Sequence, residues 1–301
     1  MIPYEIVHMF TDRPYAGSPL AVLPDATGLD DGAMAVLAAE LGTTETAFVL
    51  PPAGPDEEYR VRVFQPSGEV PFGGHSAVGT AATLVRLGRL PAGPLVQGCG
   101  GGRQTLTATA EGAALIGRGA VPPTPLDPGP LLAAAGLSGD DAGGGPPLAT
   151  GFGAAFALLP VDGAALDRAR PDPARLAAEG LAALALLTWE PAGRTVRARL
   201  FAPGFGIPED PACAPVAMAF GLWLLATGRL PAGDGDHPYT VRMGGGTTRT
   251  GRIDCVITLE NGEAVRATAA GAVTVAARGT LAVPTAPPVS PVTATSPVPP
   301  E

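Results

Sequence analysis

The heptapeptide Leu-Gly-Arg-Leu-Pro-Ala-Gly at residues 87–93 returns, with one residue changed, as Thr-Gly-Arg-Leu-Pro-Ala-Gly at residues 227–233. Each heptapeptide closes a longer unit, which begins with Arg-Val-Phe-Gln-Pro at residues 62–66 and with Arg-Leu-Phe-Ala-Pro at residues 199–203. The offset between the copies grows from 137 residues at the start of the unit to 140 at its end, so a small insertion lies between. A repeat of this length indicates one structural unit that is present twice.

Each copy of the unit predicts a strand, a turn rich in Pro and Gly, and a buried helix. Residues 59–64 alternate between polar and apolar side chains, as a half-buried strand does. Residues 75–87 are small and apolar on nearly every side, which is typical of a buried helix. Two such halves would face each other across a cleft. The free N–H groups of both helix N-termini would point into that cleft, which suits a carboxylate ligand.

The chain divides into three predicted regions. Residues 1–120 form the first half and residues 121–283 the second. Residues 121–147 are rich in Pro and Gly, so we interpret them as the connection between the halves, with one short helix near residues 130–137. Residues 284–301 contain Pro, Thr, Ser and Val without periodicity, and we expect them to be a disordered tail.

Composition argues against several classes of protein. The net charge of −9 disfavours binding to the phosphate backbone of nucleic acids. All 19 basic residues are arginine, so no lysine can form a Schiff base with pyridoxal phosphate. The three cysteines and three histidines show neither a disulfide framework nor tight ligand spacing, so no metal site is expected. The longest apolar run, residues 212–227, fits a buried helix better than a membrane span, and no signal peptide is recognised. We therefore expect a soluble cytoplasmic protein.

Four segments, taken together, indicate a resemblance to a known family. They read Phe-Thr-Asp-Arg-Pro-Tyr-Ala-Gly at residues 10–17, Thr-Glu-Thr-Ala-Phe-Val at 44–49, Phe-Gly-Gly-His at 72–75, and a stretch at 203–212 that ends in Glu-Asp-Pro-Ala. In order and spacing they resemble the PhzF-like isomerases of phenazine biosynthesis, over residues 4–283. The resemblance implies an α+β, diaminopimelate epimerase-like fold, in which two pseudo-symmetric halves each wrap a β-sheet or barrel around a central buried helix.

The resemblance also implies the residues that carry the chemistry. Other epimerases of this fold use one cysteine from each half, and here Gly73 and Asp210 stand at the matching positions, so that mechanism is absent. The PhzF-like members use a glutamate as the proton shuttle, with a histidine and an aspartate in the pocket. By motif these are Glu45, His75 and Asp210. A buried carboxylate suits the task because it can accept a proton from one carbon and return it to another.

Each of these residues also has a structural interpretation. Glu45 could cap a segment or pair with an arginine, and without the resemblance we would favour that role. His75 could be a packing residue at the start of its helix. Asp210 could be an N-cap, which is the usual role of an aspartate before a helix. Gly73 and Gly74 would let the backbone approach a substrate closely, although a plain turn needs glycine as well.

The sequence departs from the family pattern at both ends of the predicted site. A Gly-Asn-Pro segment common in the family reads Gly-Ser-Pro here, which places Ser18 where an amide would contact substrate. The common Asp-Pro-Ala-Thr-Gly-Ser becomes Asp-Pro-Ala-Cys-Ala-Pro, so Pro215 removes a hydroxyl and a backbone N–H, although proline is acceptable in a first helical turn. We interpret Cys213 as a small buried residue, with a reactive thiol as the alternative. The predicted substrate contacts are Ser18, Gly73, Gly74, Cys213, Ala214 and Pro215.

The expected function is that of a cofactor-independent isomerase that moves a proton on a small carboxylate-bearing metabolite, in phenazine-like or other specialised biosynthesis. The resemblance also suggests a homodimer. Two alternatives stay open at this point. The altered second-half loop could have abolished catalysis and left a binding or accessory protein, or the same pocket could catalyse a cyclisation or an elimination. A free Glu45 carboxylate would favour an enzyme, whereas a pocket blocked around Pro215 would favour the binding protein.

Overall fold

The computed structural model describes residues 1–65, 68–71 and 73–284, so the predicted tail lies outside the described residues apart from Pro284. The elements of the first half are β1 (Ile2–Met9), β2 (Ser18–Leu23), α1 (Asp31–Leu41), β3 (Glu45–Leu50), β4 (Tyr59–Gln65), β5 (Gly68–Val70), α2 (Ser76–Arg86), β6 (Gly93–Cys99), β7 (Gly102–Ala108) and β8 (Gly112–Gly117).

The second half follows the same plan with two added helices. Its elements are β9 (Ala120–Pro125), α3 (Pro128–Ala134), β10 (Leu148–Phe152), β11 (Phe156–Pro160), α4 (Gly163–Arg168), α5 (Pro173–Ala178), β12 (Leu184–Glu190), β13 (Thr195–Ala202), β14 (Ile207–Asp210), α6 (Ala214–Ala226), β15 (Gly235–Met243), β16 (Gly251–Glu260) and β17 (Glu263–Leu281). None of the helices in the described part of the chain is long and apolar enough to cross a membrane.

The first half is a closed barrel around α2. Hydrogen-bonded pairing runs β1–β2–β3–β4–β6–β7–β8–β17 and returns from β17 to β1. The β2–β3 and β4–β6 pairs are parallel, and the other pairs are antiparallel. Nine of the eleven residues of α2 are buried, which explains why this helix has no charged residue before Arg86. The prediction of a buried helix is confirmed.

The second half repeats this arrangement around α6. Its strands pair in the order β9–β10–β11–β12–β13–β15–β16–β17, with β11–β12 and β13–β15 as the parallel pairs. Ten of the thirteen residues of α6 are buried, among them Phe220 and Trp223. The apolar run noted in the sequence is therefore the core helix of this half, as predicted. The architecture is the diaminopimelate epimerase-like fold that the resemblance implies.

The repeated heptapeptide ends both central helices in the same way. Gly88 and Gly228 follow α2 and α6 in the left-handed conformation, each with φ of 68°. The next residue then donates its backbone N–H back to the helix, from Arg89 to the Leu84 carbonyl at 2.9 Å and from Arg229 to the Leu224 carbonyl at 2.8 Å. A left-handed glycine is the conformation that lets a helix stop and the chain turn away. The residues that both copies of the repeat share therefore end α2 and α6 in the same way.

The two halves exchange their last strands. In β17, residues 267–272 pair with β8, while residues 273–281 continue into the first barrel and pair with β1. In the same way β9, which directly follows β8, pairs with β10 of the second half. The predicted division at residues 120 and 121 follows chain order and stays a prediction. Residues 273–281 nevertheless belong to the first barrel, because their pairing with β1 closes it.

The segment predicted as a connection carries more structure than expected. The helix predicted near residues 130–137 is α3, but the residues before it form strand β9. Helices α4 and α5, which follow this segment in the chain, were not predicted. These three helices cover one face of the second half, where Leu131, Leu166 and Leu176 pack in a separate apolar cluster. The helices are only six or seven residues long, so they contain too few turns to produce a clear period in the sequence.

Candidate functional site

The three predicted catalytic residues meet where the two halves face each other. Glu45 is the first residue of β3, His75 is the N-cap of α2, and Asp210 is the last residue of β14. Glu45 Oε2 lies 3.4 Å from His75 Nε2. Ligand atoms of His75, Asp210 and Cys213 all lie within 4.8 Å of one another. All four side chains are buried, with exposed fractions of 1% for Glu45 and 8% for Cys213 at the extremes.

Gln65 holds the Glu45 carboxylate in place. Its Nε2 atom donates to Glu45 Oε1 at 2.8 Å. The start of β3 is fixed as well, because Thr44 Oγ1 donates to the Pro19 carbonyl at 2.8 Å. Sequence reasoning missed Gln65, although one signal was present. In the repeated pentapeptide the second copy has Ala202 at this position, so the first half places an amide where the second half needs only a methyl group.

Glu45 and His75 each keep one polar atom free. Among the described residues, neither Glu45 Oε2 nor His75 Nε2 has a hydrogen-bond partner. The two atoms are close enough for an ion pair at 3.4 Å, but they are not aligned as a hydrogen bond. Buried polar atoms are nearly always paired, so two free ones side by side mark a place prepared for a ligand or a transferred proton. The alternative in which Glu45 pairs with an arginine finds no support in the described part of the chain.

Mutual electrostatics set the protonation of this cluster. Burial opposes the charged form of His75, but the Glu45 and Asp210 carboxylates outweigh it and raise the pKa of His75 well above its ordinary value. Burial likewise raises the pKa of Asp210, while His75 and the backbone N–H of Ala212 pull it down. Burial also raises the pKa of the Cys213 thiol, against the opposing effect of His75. The two carboxyl groups therefore favour the protonated form of His75, which faces Glu45.

Asp210 does not cap a helix. Helix α6 begins at Ala214 with Cys213 as its N-cap, three residues beyond Asp210. The Asp210 carboxylate instead accepts the backbone N–H of Ala212 at 3.0 Å, within the turn that leads into α6. The interpretation of Asp210 as an N-cap is therefore wrong. The N-cap positions of the two central helices carry His75 and Cys213, so the repeat brings these two side chains together across the pseudo-twofold axis.

The residue before the N-cap of α2 touches the first turn of α6. A Cβ atom added to Gly74 would lie 2.8 Å from Pro215 Cδ, and nearer still to Cγ. Gly74 therefore lets the backbone approach the opposite half closely, and Pro215 occupies the space on that side. Pro215 lies in the first turn of α6, as predicted, where its missing N–H disrupts no hydrogen bond. Gly73 contributes its carbonyl, which accepts from Gln104 Nε2 at 3.1 Å.

The other predicted substrate contacts are buried near the same ends of the elements. Ser18 opens β2 and is fully buried, and its hydroxyl has no partner among the residues that the structure describes. Ala214 is fully buried in the first turn of α6. Whether these residues, with Gly73, Gly74, Cys213 and Pro215, contact a substrate stays a prediction. The site as a whole is closed to solvent.

One large groove lies away from this cluster. It has a volume of about 800 Å³ and is lined by residues such as Arg13, Arg197 and Arg242 from the outer face of the second half and the end of β1. Glu45 and His75 do not line it. The buried cluster is the candidate site instead, because it collects titratable groups with shifted pKa values around unpaired polar atoms.

The expectation that no metal site exists rested on ligands that are close in sequence. The structure brings together three potential ligands, His75, Asp210 and Cys213, of which the first is 135 residues before the second. Sequence spacing cannot detect such a group because its members belong to different halves.

Comparison with known proteins places this geometry in a family. The PhzC-PhzF family, described as phenazine biosynthesis-like protein, matches residues 7–279. An uncharacterized isomerase of Mesorhizobium japonicum is 46% identical over 84 residues, which is only 28% of each chain. The trans-2,3-dihydro-3-hydroxyanthranilate isomerase of Pseudomonas aeruginosa is 29% identical over 248 residues, 76% of this chain and 82% of the relative.

The solved structures agree. The crystal structure of a PhzF-family phenazine biosynthesis protein from Bacillus anthracis has a TM-score of 0.81 at 21% identity, covering 94% of this chain and 99% of the other. At that identity the likeness shows the shared fold. Together with the match over residues 7–279, the paired barrels and the cluster between their central helices, it leads to one conclusion: the chain belongs to the PhzC-PhzF family of phenazine biosynthesis-like isomerases.

Proposed function

We propose that this protein is a cofactor-independent isomerase that moves a proton on a small carboxylate-bearing metabolite, with Glu45 as the proton shuttle. One observation carries the proposal. The Glu45 carboxylate is almost completely buried, is held through Oε1 by Gln65, and keeps Oε2 unpaired beside His75. A carboxylate that is fixed on one side and free on the other can take a proton from one carbon and deliver it to the next.

The neighbours of Glu45 supply orientation and charge. His75 is a cation held by two carboxylates, so it can stabilise negative charge that develops on the substrate while the proton is on Glu45. Asp210 keeps His75 protonated and in place. A substrate carboxylate would face the N-terminus of α2, whose free N–H groups attract anions. The N-terminus of α6 is the weaker partner because Pro215 has no N–H.

The substrate class rests on this anion site and on the relatives. The Pseudomonas aeruginosa relative is named for an isomerisation of trans-2,3-dihydro-3-hydroxyanthranilate, which is a cyclic amino carboxylate. We propose the same class of compound for this chain and a role in specialised biosynthesis. We also propose that the protein is a cytoplasmic homodimer, which light scattering after size-exclusion chromatography would test.

The test is proton NMR in D2O with a panel of small amino and cyclic carboxylates, trans-2,3-dihydro-3-hydroxyanthranilate among them. Wild type is compared with Glu45→Gln, which keeps the shape of the side chain but cannot shuttle the proton. We expect deuterium to enter one compound with wild type, and the rate to fall by about 10²–10⁴-fold in the variant, the usual contribution of a general acid–base group.

A matched control is Glu57→Gln, which changes a buried carboxylate that is bonded to Arg60 and lies outside the cluster. This variant should exchange like wild type. Equal exchange by wild type and Glu45→Gln would refute the role of Glu45, whichever compound is exchanged.

One observation favours the second candidate function, a binding or accessory protein. The first turns of α2 and α6 fill the space between them, with Pro215 directly against Gly74. Saturable binding of a panel compound by wild type, without deuterium exchange or product, would support this alternative. A cyclisation or an elimination in the same site would instead be recognised from the structure of the product.

A further inference from the structure

The buried cluster contains three kinds of metal ligand. His75 offers an imidazole nitrogen at the start of α2, Asp210 a carboxylate at the end of β14, and Cys213 a sulfur at the start of α6. One ligand atom from each lies within 4.8 Å of the other two, and all three side chains are more than nine-tenths buried. His75 also has an unpaired ring nitrogen in the described structure.

The donor set selects a class of cation. Sulfur, imidazole and carboxylate together suit zinc and its borderline-soft neighbours, whereas magnesium and calcium prefer oxygen alone. Three protein ligands with an open fourth position are the arrangement of reactive zinc sites. Zinc bonds of about 2.0–2.3 Å place tetrahedral ligands roughly 3.3–3.8 Å apart. Side-chain rotations of about 1 Å would therefore bring the three groups of this cluster into coordination.

The surrounding charge favours a cation as well. Among the residues that the structure describes in this cluster, His75 is the basic group beside the buried carboxyl groups of Glu45 and Asp210. Burying charge without compensation is costly, so a divalent ion would be stabilised here.

We propose that His75, Asp210 and Cys213 form a binding site for a zinc-class divalent cation at the junction of the two halves. Cys213 is the decisive residue, because it supplies the sulfur donor, the softest ligand of the three. The site does not depend on the proposed isomerase activity. It shares His75 and Asp210 with the proton-transfer arrangement, so a bound cation and a substrate would exclude each other.

Cobalt(II) is the probe, because a thiolate bound to Co²⁺ produces a charge-transfer band in the near ultraviolet. The metal-free full-length protein is titrated with Co²⁺, and zinc is then added in competition. We expect one Co²⁺ per chain with the thiolate band, its displacement by Zn²⁺, and a rise in the thermal midpoint with either metal. Cys99→Ala is the matched control, since it removes another buried cysteine outside the cluster, and it should behave like wild type.

Cys213→Ala should lose the thiolate band and bind Zn²⁺ more than about 100-fold more weakly, a larger loss than is typical for a residue that only supports a ligand. Its circular dichroism spectrum without metal establishes that it is folded. A wild type without the band at saturating Co²⁺, or a Cys213→Ala variant that keeps the band, would overturn the proposal. Neither readout needs a substrate, so this outcome is separate from that of the deuterium-exchange experiment.

Discussion

Gly74→Ala tests whether the two halves meet as the structure shows. The new Cβ would lie 2.8 Å from Pro215 Cδ, whereas two carbon atoms pack at about 3.5–4.0 Å. Pro215 Cγ is nearer still, so the turn before α2 and the first turn of α6 would have to separate by more than about 1 Å. Overpacking of this kind costs about 1–3 kcal/mol of the free energy of unfolding. The backbone of Gly74 is not left-handed, so alanine brings no other strain.

A second substitution isolates the contact. Pro215→Ala removes the ring, and it should cost less than about 1 kcal/mol on its own, as surface-like changes in a first turn do. In the double variant, Gly74→Ala should then cost little, which gives a coupling energy of about 1–2 kcal/mol. Urea denaturation followed by circular dichroism measures all four free energies, with the m-values checking that unfolding stays two-state.

The control is Gly233→Ala, which has no left-handed backbone and no atom within 4 Å of the added Cβ. It should change the free energy of unfolding by less than about 0.5 kcal/mol. If Gly74→Ala and Pro215→Ala add within about 0.5 kcal/mol, the two helix ends do not touch and the closed site described above is incorrect.

Three further predictions concern single side chains. Gln65→Leu removes a hydrogen bond to the buried Glu45 carboxylate worth about 1.5–3 kcal/mol, so the deuterium-exchange rate should fall by roughly 10–150-fold. An unchanged rate would contradict the positioning role of Gln65. Glu209→Gln breaks the buried ion pair with Arg199 and should lower the free energy of unfolding by about 3–5 kcal/mol. Glu69→Gln at the equivalent, more exposed pair with Arg62 should lower it by about 0–1 kcal/mol, as urea denaturation would measure. Equal losses would show that burial does not determine the cost of breaking the pair. Burial opposes ionisation of Glu5, but two arginines outweigh it and lower its pKa, so this carboxylate stabilises the fold above pH about 4.3 and loses that effect as the pH falls; the stability gap between wild type and Glu5→Gln should narrow in acid, and a constant gap would exclude the linkage.

The repeat made most of the fold predictable. A local signal, the helix stop at Gly88 and Gly228, occurs twice with the same letters because both central helices end by the same left-handed turn. The burial of α2 and α6 was predictable from their composition, since the only charged residue in either helix is Arg86 at the end of α2. Glu45, His75 and Asp210 were located by motif, and the structure brings them together at one site.

What the sequence could not show depends on contacts between distant residues. Gln65 was missed because its bond to Glu45 joins two strands, and its replacement by Ala202 in the second copy of the repeat does not reveal that partner. The capping role expected for Asp210 was wrong because α6 starts three residues later than the local pattern suggests. The grouping of Cys213 with His75 needs both halves, so no local spacing reports it.

Because the halves exchange their last strands, the first barrel cannot close until the second half has been synthesised. When β1 leaves the ribosome, residues 273–281 have not yet been synthesised, so Ile2 cannot pair with Leu281. Until then the first barrel has two open edges, at β1 and at β8, which are the kind of surface that pairs with other chains. Contacts this far apart in sequence also form slowly. The nascent first half is therefore the stage at which this protein is most exposed to aggregation, and loss of the final strand would leave the N-terminal barrel unfinished as well.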